Sequence, residues 1–190
     1  MLRGEHDTAV LIVGGGLTRC ATAYACTVAG LKPIVVEGHR IGQGSAGRSA
    51  GLLLADPGPT FREVAAAHGL RAARQVFGAW ERGASDAAGL LRRLKVVGGV
   101  EAYANLVVAF RGEEKALQRE HAAREAAGVA SRWLAQRQVR QATAPEATAA
   151  MRLHDGFAVD PYRACMALAS AGTRRGARFF GRSPVRKGVA

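Results

Sequence analysis

The sequence predicts an α/β fold that opens on a strand–turn–helix–strand unit, and three observations carry that prediction. Residues 8–13 (TAVLIV) form an almost continuous apolar, β-branched run, the pattern of a strand buried on both faces of a parallel sheet. The run ends at Gly14-Gly15-Gly16, and residues 17–29 then have the alanine-rich content of a helix closed by Gly30. A second apolar run, Ile34-Val35-Val36, follows Pro33 and stops at Glu37, completing a βαβ unit.

The other elements follow in order. Residues 38–60 are rich in Gly, Ser and Pro and read as loop. Residues 61–94 are helical in content, with breaks expected near Gly69 and Gly83. Residues 103–110 (YANLVVAF) read as a strand, and residues 113–127 as a helix ended by Gly128. A further helix is expected over 136–152, interrupted at Pro145, and a short strand over 157–159. Asp160-Pro161 opens a helix with proline in its first turn, running to about Arg175. Residues 178–180 and 185–187 are expected as short strands. No internal repeat is visible.

Composition narrows the function classes. The hydrophobic fraction of the 190 residues is 48% and the charged fraction 22%, enough apolar material for a core, which excludes a disordered chain. No run approaches the roughly 18 apolar residues that span a membrane, and MLRGEHD lacks the apolar region of a secretory leader. A cytoplasmic protein without a membrane partner is expected. The net charge of +12 invites a nucleic-acid reading, but 23 of the 27 cations are Arg, scattered along helices without interleaved aromatics. No nucleic-acid partner is therefore expected. The exception is a basic tail, Arg174, Arg175, Arg178, Arg182, Arg186 and Lys187, with no acidic partner in sequence. Cys20, Cys26 and Cys165 have neither metal spacing nor a disulfide framework and read as packing residues, so no metal site is expected.

The glycine turn carries the chemistry. Gly14 permits a tight turn, and Gly16 lets backbone approach a pyrophosphate resting on the N–H groups of the helix N-terminus. Glu37, 23 residues after Gly14, ends the second strand where a carboxylate accepts hydrogen bonds from ribose hydroxyls and repels a 2′-phosphate. Strand, turn, helix, strand and terminal acid together make a Rossmann-like dinucleotide site. One position departs from the pattern: its third glycine falls at residue 19, which is Arg. A long side chain there either displaces the helix or swings toward solvent or the phosphates. The expectation is a steric cost and weakened binding.

The segment EGHRIGQGSAGRSAGLLLADPG then resembles the D-amino-acid oxidase and glycine oxidase family of FAD-dependent oxidoreductases, through Ser45, Ala46, Gly47, Arg48, Ser49, Ala50, Gly51 and Leu52. In that family the segment wraps under the flavin. Small residues there let backbone N–H groups reach phosphates and ring, and hydroxyls add donors. A second match, HDGFAVDPYRACMALASAGTRRGARFFGRSPV, resembles the family's return from substrate domain to FAD domain. The resemblance implies FAD contacts at Gly14, Gly16, Leu17, Thr18, Glu37, Gly38, the 45–52 segment and Val185, the last through its backbone to the adenine. An NAD-dependent dehydrogenase is the alternative that the 45–52 segment disfavours.

The resemblance also implies an architecture and a reaction. The implied fold class is a Rossmann-like FAD-binding βαβ unit with an inserted, incomplete α+β substrate domain. Residues 1–60 would be the first part of the FAD-binding domain, 61–155 a partial substrate domain, and 156–190 a truncated return. The implied reaction moves a hydride from the carbon of a small amine or amino acid to the flavin. Family members are roughly twice as long, so the chain reads as an N-terminal fragment, with a second chain completing the fold or, alternatively, with no activity. No catalytic residue is assigned, because no His, Ser or Cys has a nucleophile-and-base setting. His39, His68, His121 and His154 read as surface or structural groups, and Arg48 and Ser49 as the groups nearest the flavin ring.

Overall fold

A computed structural model describes residues 1–142 and 146–187. In chain order its elements begin with β1 (Leu11–Val13), α1 (Leu17–Val28), β2 (Ile34–Val36), a 3-10 turn (Ala46–Arg48) and β3 (Leu52–Leu53). Next come α2 (Phe61–His68), α3 (Leu70–Arg93), β4 (Glu101–Tyr103), β5 (Leu106–Ala109) and α4 (Glu114–Ala127). The chain continues through β6 (Ser131–Trp133), α5 (Gln136–Ala142), β7 (Ala149–Leu153), β8 (Gly156–Ala158), α6 (Pro161–Arg174) and β9 (Arg178–Phe180). Three sheets form, with strand orders β1-β2-β9, β3-β8-β4 and β5-β7-β6. The expected α/β class holds. The chain divides into two compact units, Met1–Leu52 with Gly89–Val100 and Ala158–Ala190, and Leu53–Ala88 with Glu101–Phe157.

The first unit is built on the parallel sheet. Ile12 pairs with Val35, and Val35 with Phe179, so the third strand in space is the last in sequence. Ile12, Val35 and Ala23 of α1 form its core, with Val10 and Phe179 packed against them. The buried stripe of α1 is Cys20, Ala23 and Thr27, and α6 buries Ala164, Cys165, Leu168, Ala169, Ala171 and Gly172. Side chains this small let the two helices pack closely side by side. Helix α6 starts where the sequence places it: the Asp160 carboxylate accepts the Arg163 N–H at 3.0 Å, and Pro161 occupies the first turn, where no N–H is missed.

Two sequence expectations for this unit are corrected. The first strand is not buried on both faces: Leu11 and Val13 are 56% and 54% exposed, because among the described residues β1 pairs only with β2 and only Ile12 faces the core. Residues 185–187 form no strand and run as exposed coil, since the segment is charged and lacks apolar alternation.

The second unit is α+β. Helix α2 is fixed by a capping box in which the Glu63 N–H donates to Thr60 Oγ1 and the Thr60 N–H to Glu63 Oε2. Phe61 and Phe77 meet edge to face at 5.3 Å in a core shared with Ala73. Ala109, Leu117, Ala149, Met151 and Leu153 form a second core between α4 and the antiparallel sheet. Glu120 and Arg124, one turn apart on α4, are buried together. Arg124 Nε donates to Glu120 at 2.6 Å, Nη1 donates to Asp56 at 2.7 Å, and the guanidinium lies over the Phe77 ring. Glu120 in turn accepts the N–H groups of Phe61 and Arg62, so one ionic cluster caps α2 and ties it to α4.

The second unit departs further from the sequence pattern. The helix expected over 136–152 ends at Ala142, and residues 149–153 are the central strand of the sheet, paired on both edges. Their alanines suggest a helix, but burial at four of five positions and a partner on each side override that propensity. The break at Pro145 lies outside the described residues. Helix α3 runs through Gly83 without a break, and the run over 103–110 is split into β4 and β5 around Ala104-Asn105. Strand β6 carries no sequence signal, being three residues long with an Arg at its centre.

Candidate cofactor site

The site grows from the end of β1. Gly14 takes φ +104°, a conformation that favours glycine, and its N–H donates to Val36 O at 2.7 Å, extending the β1–β2 ladder into the turn. Gly15 sits under the next loop, and a methyl group on it would lie 2.6 Å from Ile41 Cδ1 and 3.1 Å from Glu37 Cβ. Above Gly16 the space is open, with nothing within 4 Å of where a side chain would begin. Gly16 caps α1 without a side-chain hydrogen bond, and the first turn contains no acid. The amides of Leu17, Thr18 and Arg19 therefore face outward with no acceptor one turn back. An open glycine turn leading onto bare helix amides fits a phosphate group.

Glu37 stands beside this turn. Its Oε2 accepts the Gly15 N–H at 2.6 Å and its Oε1 the His39 N–H at 2.8 Å, which fixes the carboxylate and leaves lone pairs on both oxygens. Its backbone is held from the other side, where its N–H donates to Phe180 O and its carbonyl accepts the Ser183 N–H. That second bond carries the chain past Gly38 and Pro184 toward the exposed Val185. A cavity of about 450 Å3 opens between the loops that follow β2 and β9, lined by His39, Arg40, Ile41, Gly181 and Arg182. It lies at the carboxyl ends of parallel strands, where open α/β sheets place their ligands.

The segment 45–52 is tied back to the turn by backbone contacts. Gly42 N–H donates to Gly15 O at 2.9 Å, and Gly47 rests so tightly on Gly42 O that a Cβ there would collide with it. Gly51, at φ +71°, rests in the same way on Val159 O and accepts the Val159 N–H at 2.9 Å. Ser49 Oγ accepts the Gly51 N–H, and the side chains of Ser45, Arg48, Ser49, Ala50 and Leu52 are exposed.

The structure thus brings Gly14, Gly16, Leu17, Thr18, Glu37 and Gly38 to one end of the sheet, with the strand leading to Val185 alongside. Gly42 joins this end of the sheet to the 45–52 segment. Sequence reasoning passes over Gly15, Gly42 and Ile41, though the run of three glycines signals at least one reserved for packing.

Arg19 does not hold the helix off the sheet. Cys20 and Ala23 beside it are fully buried, while Arg19 lies exposed with its Nε, Cδ and Cγ 3.5–3.7 Å from where a Gly14 methyl would be. Beneath the turn, the Cys20 thiol hydrogen-bonds Cys165 and reaches Gly15 O at 3.6 Å. That hydrogen bond, burial and the neighbouring Cys165 and Glu37 charges push the Cys20 thiol well up from its ordinary value.

The second unit holds a larger cavity, about 610 Å3, walled by Val107, Leu117 and Met151. Its buried charges, Asp56, Glu120 and Arg124, are committed to one another. Among the described residues no helix is long and apolar enough to cross a membrane.

Comparison with known proteins agrees with this geometry. Glycine oxidase from Geobacillus kaustophilus superimposes with a TM-score of 0.70 at 22% identity, covering 94% of this chain and 47% of that one. L-alpha-glycerophosphate oxidase from Mycoplasma pneumoniae, solved with FAD bound, gives 0.69 at 21% identity, covering 96% and 46%. L-amino acid deaminase from Proteus vulgaris gives 0.71 at 15% identity, covering 95% and 42%. A component of the anaerobic glycerol-3-phosphate dehydrogenase of Escherichia coli (strain K12) is 43% identical over 51 residues, 27% of this chain and 9% of that protein. The chain spans less than half the length of each of these proteins. One family, described as DAO, FAD dependent oxidoreductase, matches residues 9–189. A match of that extent, over an open glycine turn with a fixed acid beside it, places the chain in the family of FAD-dependent oxidoreductases.

Proposed function

We propose that the first unit binds FAD and that the complete protein oxidises a small amine or amino acid. The observation that carries the reading is Glu37, held by the Gly15 and His39 amides against the open turn at Gly16. The outward amides of Leu17 and Thr18 would hold the diphosphate, and the free lone pairs of Glu37 would accept hydrogen bonds from the ribose hydroxyls. Gly38 and the Val185 backbone would hold the adenine end. The exposed 45–52 segment, with the Arg48 guanidinium and the Ser45 and Ser49 hydroxyls, would supply the groups nearest the flavin. When bound, FAD supplies the two-electron acceptor for hydride from the substrate carbon. Loss of that hydride and of the amine N–H proton to solvent leaves an imine, which water hydrolyses to a carbonyl compound and ammonia or an amine. The second unit, by this reading, is the substrate-domain portion.

The 43% identity over 51 residues to a component of a glycerol-3-phosphate dehydrogenase favours a second substrate class, a polyol phosphate, on the same cofactor. One experiment separates the readings. Protein mixed with FAD and desalted retains the yellow flavin band, and amines or amino acids added without oxygen bleach it. Colourless protein sinks the cofactor reading. Bleaching by glycerol 3-phosphate alone selects the second class, and retained flavin bleached by neither selects the inactive alternative.

A further inference from the structure

Arg19 is placed where a helix least favours a cation. It sits in the first turn of α1, at the positive end of the helix dipole, with no acid in that turn and no ion-pair partner among the described residues. Its arm does not extend away from the helix: Cγ, Cδ and Nε run alongside Gly14, 3.5–3.7 Å from where a Cβ on that glycine would stand. The Arg19 stem thus passes beside the Gly14 turn. The guanidinium is left exposed at the rim of the same open turn whose amides point outward.

We infer that Arg19 is a positioning residue for the cofactor's diphosphate, a charged arm standing where the glycine pattern has no side chain. This rests on the reading of the first unit as an FAD site. A guanidinium beside a diphosphate makes charge-assisted, forked hydrogen bonds, and the anion in turn neutralises the repulsion between Arg19 and the helix end. The arrangement is unfavourable when empty and favourable when filled.

The test compares Arg19→Met, which keeps the unbranched stem and removes the charge, and Arg19→Gly, which restores the pattern, with the unaltered protein. Flavin binding is read from fluorescence at several salt concentrations, and unfolding of the FAD-free proteins is followed by heat. Both variants are expected to bind FAD about tenfold more weakly, the loss of one charged hydrogen bond. Their binding is also expected to depend less on salt. FAD-free Arg19→Met is expected to melt no lower than the unaltered protein, because a misplaced cation has gone. If the unaltered protein binds no FAD, the cofactor reading fails and this inference with it. If it binds FAD and either variant binds as tightly or tighter with the same salt dependence, Arg19 alone is overturned. A lowered melting temperature in FAD-free Arg19→Met also overturns it, by showing a structural role.

Discussion

The hydroxyl of Tyr103 is buried against Gly156 with no hydrogen-bond partner, the single side-chain polar atom in that position among the described residues. Burial raises its pKa, since the phenolate would be still harder to accommodate than the phenol. An orphaned donor costs desolvation and returns nothing, so Tyr103→Phe is expected to be neutral or stabilising by up to about 1 kcal/mol, read by urea unfolding. A loss of more than that would mean the hydroxyl is satisfied. Arg19 teaches a related lesson about single positions. The glycine pattern at residues 14–19 warns of a clash at its third place, yet a pattern records which side chains are absent and not the course of one that is present. The arm escapes alongside Gly14, a route that no local sequence pattern encodes.

Among elements, the bond between α2 and α4 is the most sensitive to charge. Glu120 is 5% and Arg124 4% exposed, and each partner holds groups that have no water to turn to. Arg124→Ala strands the Glu120 and Asp56 carboxylates and is expected to cost about 3–5 kcal/mol in denaturant unfolding, whereas an exposed pair such as Arg152–Asp155 contributes about 0–1 kcal/mol. The cluster is not legible in sequence beyond the four-residue spacing of Glu120 and Arg124, because Asp56 and Phe61 join it from more than 50 residues away. Elements with local signals read well. Strands β2 and β9 fall where apolar runs flanked by Gly and Pro place them, α2 and α4 end at Gly69 and Gly128, and α6 opens on Asp160-Pro161. Strand β7 does not, because alanine carries no β signal and the strand exists through its two neighbours. In the candidate site the turn and Glu37 are local and legible. The Gly42 contact that ties the 45–52 segment to Gly15 is a meeting of loops with no sequence signature.

For the whole molecule, acid is the weak side. Glu63 is held below the ordinary carboxylate value by the Thr60 N–H and hydroxyl, and Glu114 by the Thr148 hydroxyl and by backbone N–H groups, its own first and then that of Gly112. A carboxylate with a lowered folded-state pKa stabilises above its unfolded value, and that stability is lost as pH falls from about 4.3 through the folded value. The net charge of +12 climbs over the same range and adds self-repulsion. Thermal melting is therefore expected to drop steeply below about pH 4, and Glu63→Gln with Glu114→Gln is expected to flatten that drop; an unchanged profile would assign acid sensitivity to other groups. The pairing of β2 with β9 has a further consequence, in time. Val35 meets Phe179 only after the whole second unit has left the ribosome, which at ordinary synthesis rates takes on the order of 10 s. Throughout that interval the outer edge of Ile34–Val36 is an unpaired apolar strand on a nascent chain. Folding of the first unit is thus gated by translation, and a chaperone that shields that edge would raise the yield of folded protein.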